Sequence, residues 1–410
     1  MRSLLWVVFM AIVATCDVVA QTVSHSTYGR QADKTQFSIQ DPTDYSAVRA
    51  QLERASQKSF WQRAAEALVR PMSQKKTPWG LDMSANVGLA YTQQTNVAVA
   101  ATIGGTYAMH KGEAMAPMSS FAVSGLVSVS GFFQLRLVGE NYFVGGNDAI
   151  SYSLAGGSMP TYFWGLGYAA ADKNSRSSYT KDNIHGNIGY KRRLLDRLWV
   201  GASVDARYAD VRAFDDLAMQ YVAGYGRGEA FSVGLGLTVE YDSRDNGYNP
   251  SRGVFLSALG EVRPKALGDV TATLWHVRGV FNLYQALWRG AVAALDMYAD
   301  MYSSATPWMF WPAAGGEQRL RGYYYGRYTD SKMASAQLEL RQTIYGPFGV
   351  CVWGGAGTFF PSIKRLGDIK LLPDYGVGVR FAAGGRTILR VDCGFGRHSH
   401  GCIISVNEAF

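Results

Sequence analysis

Cysteine is scarce in this 410-residue chain: Cys16 lies in the N-terminal apolar stretch, which leaves Cys351, Cys393 and Cys402. So few thiols, and an odd number of them, exclude a disulfide framework, although one bridge can form. Long hydrophobic runs are missing too. Beyond the first residues no segment supplies the roughly 18 uncharged apolar residues that a spanning helix needs, which excludes a helical membrane protein. Charge is thin, at 18% Asp, Glu, Lys and Arg. The formal +8 comes from Lys and Arg scattered through alternating segments without a long basic run, so a nucleic-acid partner is not expected. No Walker loop, His-Glu-x-x-His, Cys-x-x-Cys or Gly-x-Ser-x-Gly occurs. The expectation is therefore no enzyme, no cofactor and no metal, with His398 and His400 read as bystanders in a hairpin loop.

What is present begins with an export signature. Arg2, an apolar run from Leu4 to Ala14 and a small-residue site ending at Ala20 read as a secretory signal peptide over residues 1–20. Lipidation at Cys16 is the weaker alternative, because Val13-Ala14-Thr15 ahead of it fits poorly. Residues 21–79 read as a periplasmic linker and an amphipathic helix. Asp41 caps that helix, Pro42 sits at its first position and Pro71 stops it. Tyr45, Val48, Leu52 and Ala55 share one face, and Phe60, Ala64, Ala67 and Leu68 form a second, slightly rotated stripe. A tether packed at a barrel mouth is the plain role for it; a lumen plug and a partner contact are the alternatives.

From residue 80 to 410 the character changes. The chain holds 46 Gly, 24 Tyr, 19 Phe and 10 Trp, and period-two alternation recurs in segments of about ten residues, the length of a tilted strand that crosses a bilayer. In 231–243 Val233, Leu235, Leu237, Val239 and Tyr241 oppose Gly234, Gly236, Thr238, Glu240 and Asp242. In 199–208 the apolar set Val200, Val204 and Tyr208 opposes Ser203, Asp205 and Arg207. A soluble sandwich alternates as well. Export, a polar face rich in charge and glycine, and the aromatic Phe410 closing an amphipathic segment favour a transmembrane barrel with its apolar face in lipid. In 253–264 this points Leu256 and Val262 outward and Ser257 and Glu261 inward.

The spacing predicts an all-β fold, a sixteen-stranded antiparallel transmembrane β-barrel. Its strands start near 95–109, include 148–158 and 160–169 as separate segments, and finish at 401–410. Residues 80–94 either add to or replace the first strand. Long connections at 110–117, 170–180, 212–229, 304–331 and 361–374 are expected outside the cell, and short turns at 194–197, 346–347 and 383–386 in the periplasm.

Six stretches in order, "YDSRDNGYNPSRG" (241–253), "RLRGYYYGRY" (319–328), "AQLELRQTIYGPFGVCVWGGAG" (336–357), "YGVGVRF" (375–381), "TILRVDCGFG" (387–396) and "SVNEAF" (405–410), resemble the BamA/TamA, or bacterial surface antigen, family. The resemblance implies that loop six folds back into the lumen and carries a Val-Arg-Gly-Phe/Tyr tip. Leu320, Arg321, Gly322 and Tyr323 match that tip here. It also implies an acidic partner for Arg321 on the next strand, matched by Glu339, because a guanidinium in the lumen needs a carboxylate. The family's second acid, in a Phe-x-Asp stretch, is missing: Trp353, Gly354 and Gly355 stand there, so the aromatic Trp353 is kept and the carboxylate is not. Asp296, Asp300 and Asp392, inward by alternation, are candidate replacements.

The resemblance implies a bacterial outer-membrane protein that inserts or translocates proteins. Its lateral seam would lie where the first and last strands meet near Gly401, with Phe410 as terminal signal. A passive pore or lipid-handling barrel and a structural subunit of an outer-membrane assembly are the alternatives. Residues 21–79 leave no room for the POTRA domains of BamA and TamA. The partners implied are outer-membrane lipid, client outer-membrane proteins and a POTRA-bearing or lipoprotein partner. Cys393 and Cys402, symmetric about Arg397 and His398 and both outward, are the candidate disulfide.

Overall fold

The computed structural model describes residues 73–76, 81–108, 118–225, 228–247, 249–364, 369–384 and 387–410. The signal peptide and the amphipathic helix lie outside these residues. Period-two alternation becomes a single antiparallel sheet of seventeen strands. They are β1 (Ser73–Lys76), β2 (Asp82–Thr92), β3 (Asn96–Tyr107), β4 (Ser119–Ser128), β5 (Phe133–Tyr142), β6 (Asp148–Phe163), β7 (Ser177–Leu195), β8 (Leu198–Arg212), β9 (Glu229–Asp242), β10 (Gly253–Arg263), β11 (Leu274–Ala286), β12 (Ala291–Tyr302), β13 (Lys332–Tyr345), β14 (Phe348–Phe360), β15 (Leu372–Gly384), β16 (Thr387–Gly396) and β17 (Ser399–Val406). Each pairs with the next along the chain. Two short helices, α1 (Tyr168–Lys173) and α2 (Asp216–Val222), lie in the connections after β6 and β8.

Burial runs opposite to that of a soluble protein. Leu237 is 71% exposed, Leu338 57% and Ile188 56%, while Asp205, Glu261, Asp296, Glu339, Arg341, Arg390 and Asp392 are buried. In β10 Leu256 and Val262 are exposed and Glu261 and Arg263 are buried. A chain can tolerate this inversion only where the outer face meets hydrocarbon and the sheet satisfies its own backbone groups.

Three boundaries differ from the sequence reading. β2 is a separate strand ahead of the one expected first. The residues from Thr92 to Thr95 carry no Gly or Pro, and the turn is made instead by Asn96 at φ 53. The expected break between 148–158 and 160–169 is absent: β6 runs through Pro160 and ends at Phe163, and residues 168–169 open α1. Pairing with β5 stops at Ser158, so at Pro160, opposite Thr180, β6 has β7 on one side only, the edge position at which a strand accommodates proline. The last strand ends at Val406 instead of running to 410; Asn407 has φ 65, and the residues after it turn inward.

These shifts fix which connections share an end. The long ones at 164–176, 213–228, 264–273, 303–331 and 361–371 lie at one end, with the hairpins at 93–95 and 397–398. The turns at 143–147, 196–197, 243–252, 287–290 and 346–347 lie at the other. Because β2 precedes β3, the connection between β3 and β4 falls at the short-turn end and not among the long loops where it was expected. Its residues 109–117 lie outside the described residues.

The 303–331 connection folds back into the barrel. Trp308 and Met309 pack with Phe163, Val211 and Ala218, and Trp308 stacks on Phe163 at 5.8 Å. Deeper in the loop, Ala314, Leu320, Tyr323 and Tyr328 pack with Trp164, Met333, Phe359 and Leu372. A short antiparallel bridge between Ala313 and Thr329, with Ala314 N–H donating to Tyr328 O at 2.7 Å, holds the two limbs together.

Candidate functional site

The tip of the folded loop is a tight turn in which Leu320 has φ 51 and Tyr323 N–H donates to Leu320 O at 3.0 Å. That turn drives Arg321 into the wall formed by β13, β14, β15 and β16. The Arg321 side chain has no solvent exposure, nor have the two carboxylates that it meets. Nη2 lies 2.6 Å from Glu339 Oε2 and Nη1 lies 2.6 Å from Asp392 Oδ2. Its guanidinium sits over the Trp353 ring at 3.7 Å, so one planar cation is bonded in its plane and stacked on its face.

Glu339 and Asp392 are inward because each alternates with outward residues on its strand: Leu338 beside Glu339, and Val391 and Cys393 beside Asp392. Each carries further cations. Glu339 meets Arg341 at 2.7 Å and Arg380 at 3.4 Å; Asp392 meets Arg380 at 2.5 Å and Arg390 at 2.7 Å. Arg380 and Arg341 go on to Glu408, at 2.8 and 3.5 Å. A continuous ionic network thus runs from the loop tip to the short-turn mouth. Such a network is tolerable in a buried setting because every charge has an opposite neighbour.

Of the three candidate acids, Asp392 contacts Arg321. Asp296 instead takes Arg319 in a bidentate pair at 2.7 and 2.8 Å, with that guanidinium 4.1 Å from the Tyr298 ring. Asp300 accepts from Tyr298 Oη at 3.0 Å and pairs with His276 at 2.8 Å.

Asp374, which sequence reasoning missed, stands next to Trp353. It accepts the Gly322 N–H at 2.7 Å on one oxygen and Trp353 Nε1–H at 3.1 Å on the other. Tyr323 Oη donates to Pro373 O and accepts Arg397 N–H, at 2.7 and 2.8 Å. Inward positions 374, 376, 378 and 380 on β15 read Asp, Gly, Gly, Arg, and that pattern was the available signal. Gly376 leaves room for the Trp353 ring, which a Cβ there would strike. Gly394 lets the loop backbone approach the wall, since a Cβ on it would lie 2.7 Å from Gly322 N.

Beside this clasp the two ends of the sheet meet. β2 and β17 lie alongside one another, yet among the described residues no register pairs them. Gln93 Nε2 donates to His400 O at 2.5 Å across the two hairpins, and its amide lies where any side chain on Gly401 would stand. Behind the seam is a cavity of about 270 Å³ lined by Ala100, Leu126, Phe132, Ile403, Ile404 and the loop residue Tyr323. β17 is bound covalently to β16 through Cys393 and Cys402, which pair directly in the register with Cα atoms 4.2 Å apart. Phe410 lies off the strand, its ring 5.3 Å from the Arg341 guanidinium and 6.2 Å from the Tyr284 ring.

The remaining lumen is lined with polar and charged side chains. A cavity of about 460 Å³ is lined by Glu140, Lys191, Asp205, Arg207, Glu261 and Arg278, and one of about 660 Å³ borders the folded loop; Arg136 lines both. Among the described residues no cluster of His, Cys, Asp and Glu could hold a metal ion.

No curated protein matches the chain. Among solved structures, BamA from Haemophilus ducreyi lacking POTRA domains 1-3 superposes with a TM-score of 0.54 at 14% identity, covering 79% of this chain and 70% of that one. CdiB from Acinetobacter baumannii gives 0.52 at 13%, covering 81% and 60%, and CdiB from Escherichia coli gives 0.51 at 12%, covering 80% and 63%. The chain therefore spans less than two thirds of either CdiB. Those identities speak for the fold alone. The Omp85 superfamily domain matches residues 140–381, more than half of the chain and most of the clasp, and on that match this outer-membrane β-barrel protein belongs to the Omp85 superfamily.

Proposed function

We propose that the barrel inserts proteins into, or passes them across, the outer membrane, using the β2–β17 line as its working edge. The observation that carries this reading is that β2 and β17 lie alongside one another while, among the described residues, no register pairs them. Unpaired backbone groups in hydrocarbon cost several kcal/mol each, so an edge of this kind favours pairing with an incoming strand. The clasp supports the same reading: Arg321 pins the folded loop to β13 and β16, which keeps the lumen partly filled while the seam stays free.

Depletion in the native host, with quantitative proteomics of the outer membrane, tests it. Loss of several other barrel proteins is the expected result; an unchanged barrel inventory with altered solute permeability would overturn it. That second outcome belongs to a passive pore, a reading favoured by the polar cavities that meet at Arg136. POTRA-bearing or lipoprotein partners are sought by crosslinking and pull-down from the same cells.

A further inference from the structure

At the short-turn end a cavity of about 620 Å³ opens between the turns 249–252, 287–290 and 346–347. Four arginines line it, Arg252, Arg289, Arg341 and Arg380, and one carboxylate, Glu408. Arg341 and Arg380 are each 5% exposed and form its floor. Glu408 reaches them only because the chain leaves β17 at Asn407, in the left-handed region, and turns inward. One of its oxygens, Oε2, serves both cations, at 2.8 Å from Arg380 Nε and 3.5 Å from Arg341 Nε. Arg341 Nη1 is buried and has no hydrogen-bond partner among the described residues. Its Nη2–H donates to the main-chain O of Phe410 at 3.2 Å. Glu408 is thus the one carboxylate lining the cavity, Arg341 Nη1 is the one donor of the two guanidiniums left over beside it, and a short segment after β17 supplies that carboxylate.

We propose that this mouth is a binding site for an acidic side chain of an extended polypeptide, and that residues 407–410 occupy it as a displaceable internal ligand. The ligand class follows from the chemistry. Two adjacent guanidiniums present in-plane donors that match a carboxylate, and the Phe410 ring beside Tyr284 marks room for an apolar neighbour two residues on. Occupancy bears on the loop tip, because Arg341 and Arg380 are also partners of Glu339 and Asp392, which hold Arg321. The proposal concerns binding alone and stands whether or not the barrel inserts proteins.

Fluorescent acetyl-Asn-Glu-Ala-Phe-amide, titrated against the full chain in detergent, tests it. Glu408→Gln is expected to bind the peptide at least tenfold more tightly than the parent, and Glu408→Asp, with its shorter reach, to fall between them. The Gln version of the peptide, and Arg341→Gln combined with Glu408→Gln, are each expected to lose that gain. Heat-modifiable migration on gels confirms that each variant is folded, and the Asp variant serves if the Gln variant is not. Equal binding to parent and both Glu408 variants would overturn the proposal. So would equal binding of the Gln peptide, or displacement of the peptide by inorganic phosphate at the same concentration, which would mark a general anion sink.

Discussion

Arg321 lies between Glu339 and Asp392, 2.6 Å from each, on a loop that returns through the barrel to join the strand that follows it to β16, 71 residues on. Breaking a buried ion pair by removing one partner typically costs about 3–5 kcal/mol. Here both carboxylates keep other cations: Arg341 and Arg380 for Glu339, Arg380 and Arg390 for Asp392. Arg321→Ala should therefore cost less than that range, about 2 kcal/mol, while releasing the loop. Single-channel conductance should rise, and residues 316–327 should become protease-sensitive. Arg321→Lys should not restore the parent behaviour, since an ammonium cannot bond two carboxylates in plane and stack on Trp353. An unchanged current in Arg321→Ala would show that the clasp does not hold the loop in the lumen.

Trp353 occupies its place because β15 has glycine opposite it. A Cβ at Gly376 would overlap the indole and the Cys393 carbonyl, whereas one at Gly354 meets nothing within 4 Å. Gly376→Ala should cost about 1–3 kcal/mol by overpacking and red-shift tryptophan emission as the ring leaves its site. Gly354→Ala should stay within about 0.5 kcal/mol of the parent. Equal effects of the two in urea unfolding would contradict the packing described.

The barrel was legible because the two sides of each strand carry opposite chemistry: Leu235, Leu237 and Val239 against Glu240 and Asp242 state the orientation without any long-range information. What alternation cannot state is where a strand pauses. Pro160 looks like a break and is not one, because the pairing that decides it, the end of β5 at Phe133 opposite Ser158, is distant in sequence. The clasp was legible in Arg321 and Glu339 through motif resemblance. Asp374 was not, since its role depends on the loop backbone of Gly322 arriving beside it. The inward turn after Val406 was hidden likewise, because it answers to Arg341 and Arg380 on other strands.

The outward position of Leu237, 71% exposed in the sheet, sets a depth-dependent expectation. Arginine on the lipid face at the bilayer midplane costs about 2–4 kcal/mol, so Leu237→Arg should lower stability by that order and reduce recovery in the outer membrane. Ser203, which lines the 460 Å³ lumen cavity, should accept arginine with a markedly smaller loss. A lipid-borne photoreactive label should mark Leu235 and Leu237 and spare Ser203. Matching penalties in folding titrations, or labelling of Ser203 instead, would place lipid on the wrong side of the sheet.

The Cys393–Cys402 link makes β16 and β17 one covalent hairpin. Strand separation at this end of the sheet is then confined to the β2 side of β17. The sequence offers a direct check, because Arg390 and Arg397 bracket the first cysteine. Trypsin should release residues 391–397 and 398–410 as a single linked mass under non-reducing conditions and as two peptides after reduction. Cys351, 1% exposed, should resist maleimide until the barrel is unfolded, then react in full. If residues 391–397 and 398–410 separate without reductant, the register Cys393 to Cys402 is wrong and β17 is free to peel from either neighbour. If the linked mass is found, a client strand trapped by crosslinking should be recovered on β2 and β17 and not between β16 and β17.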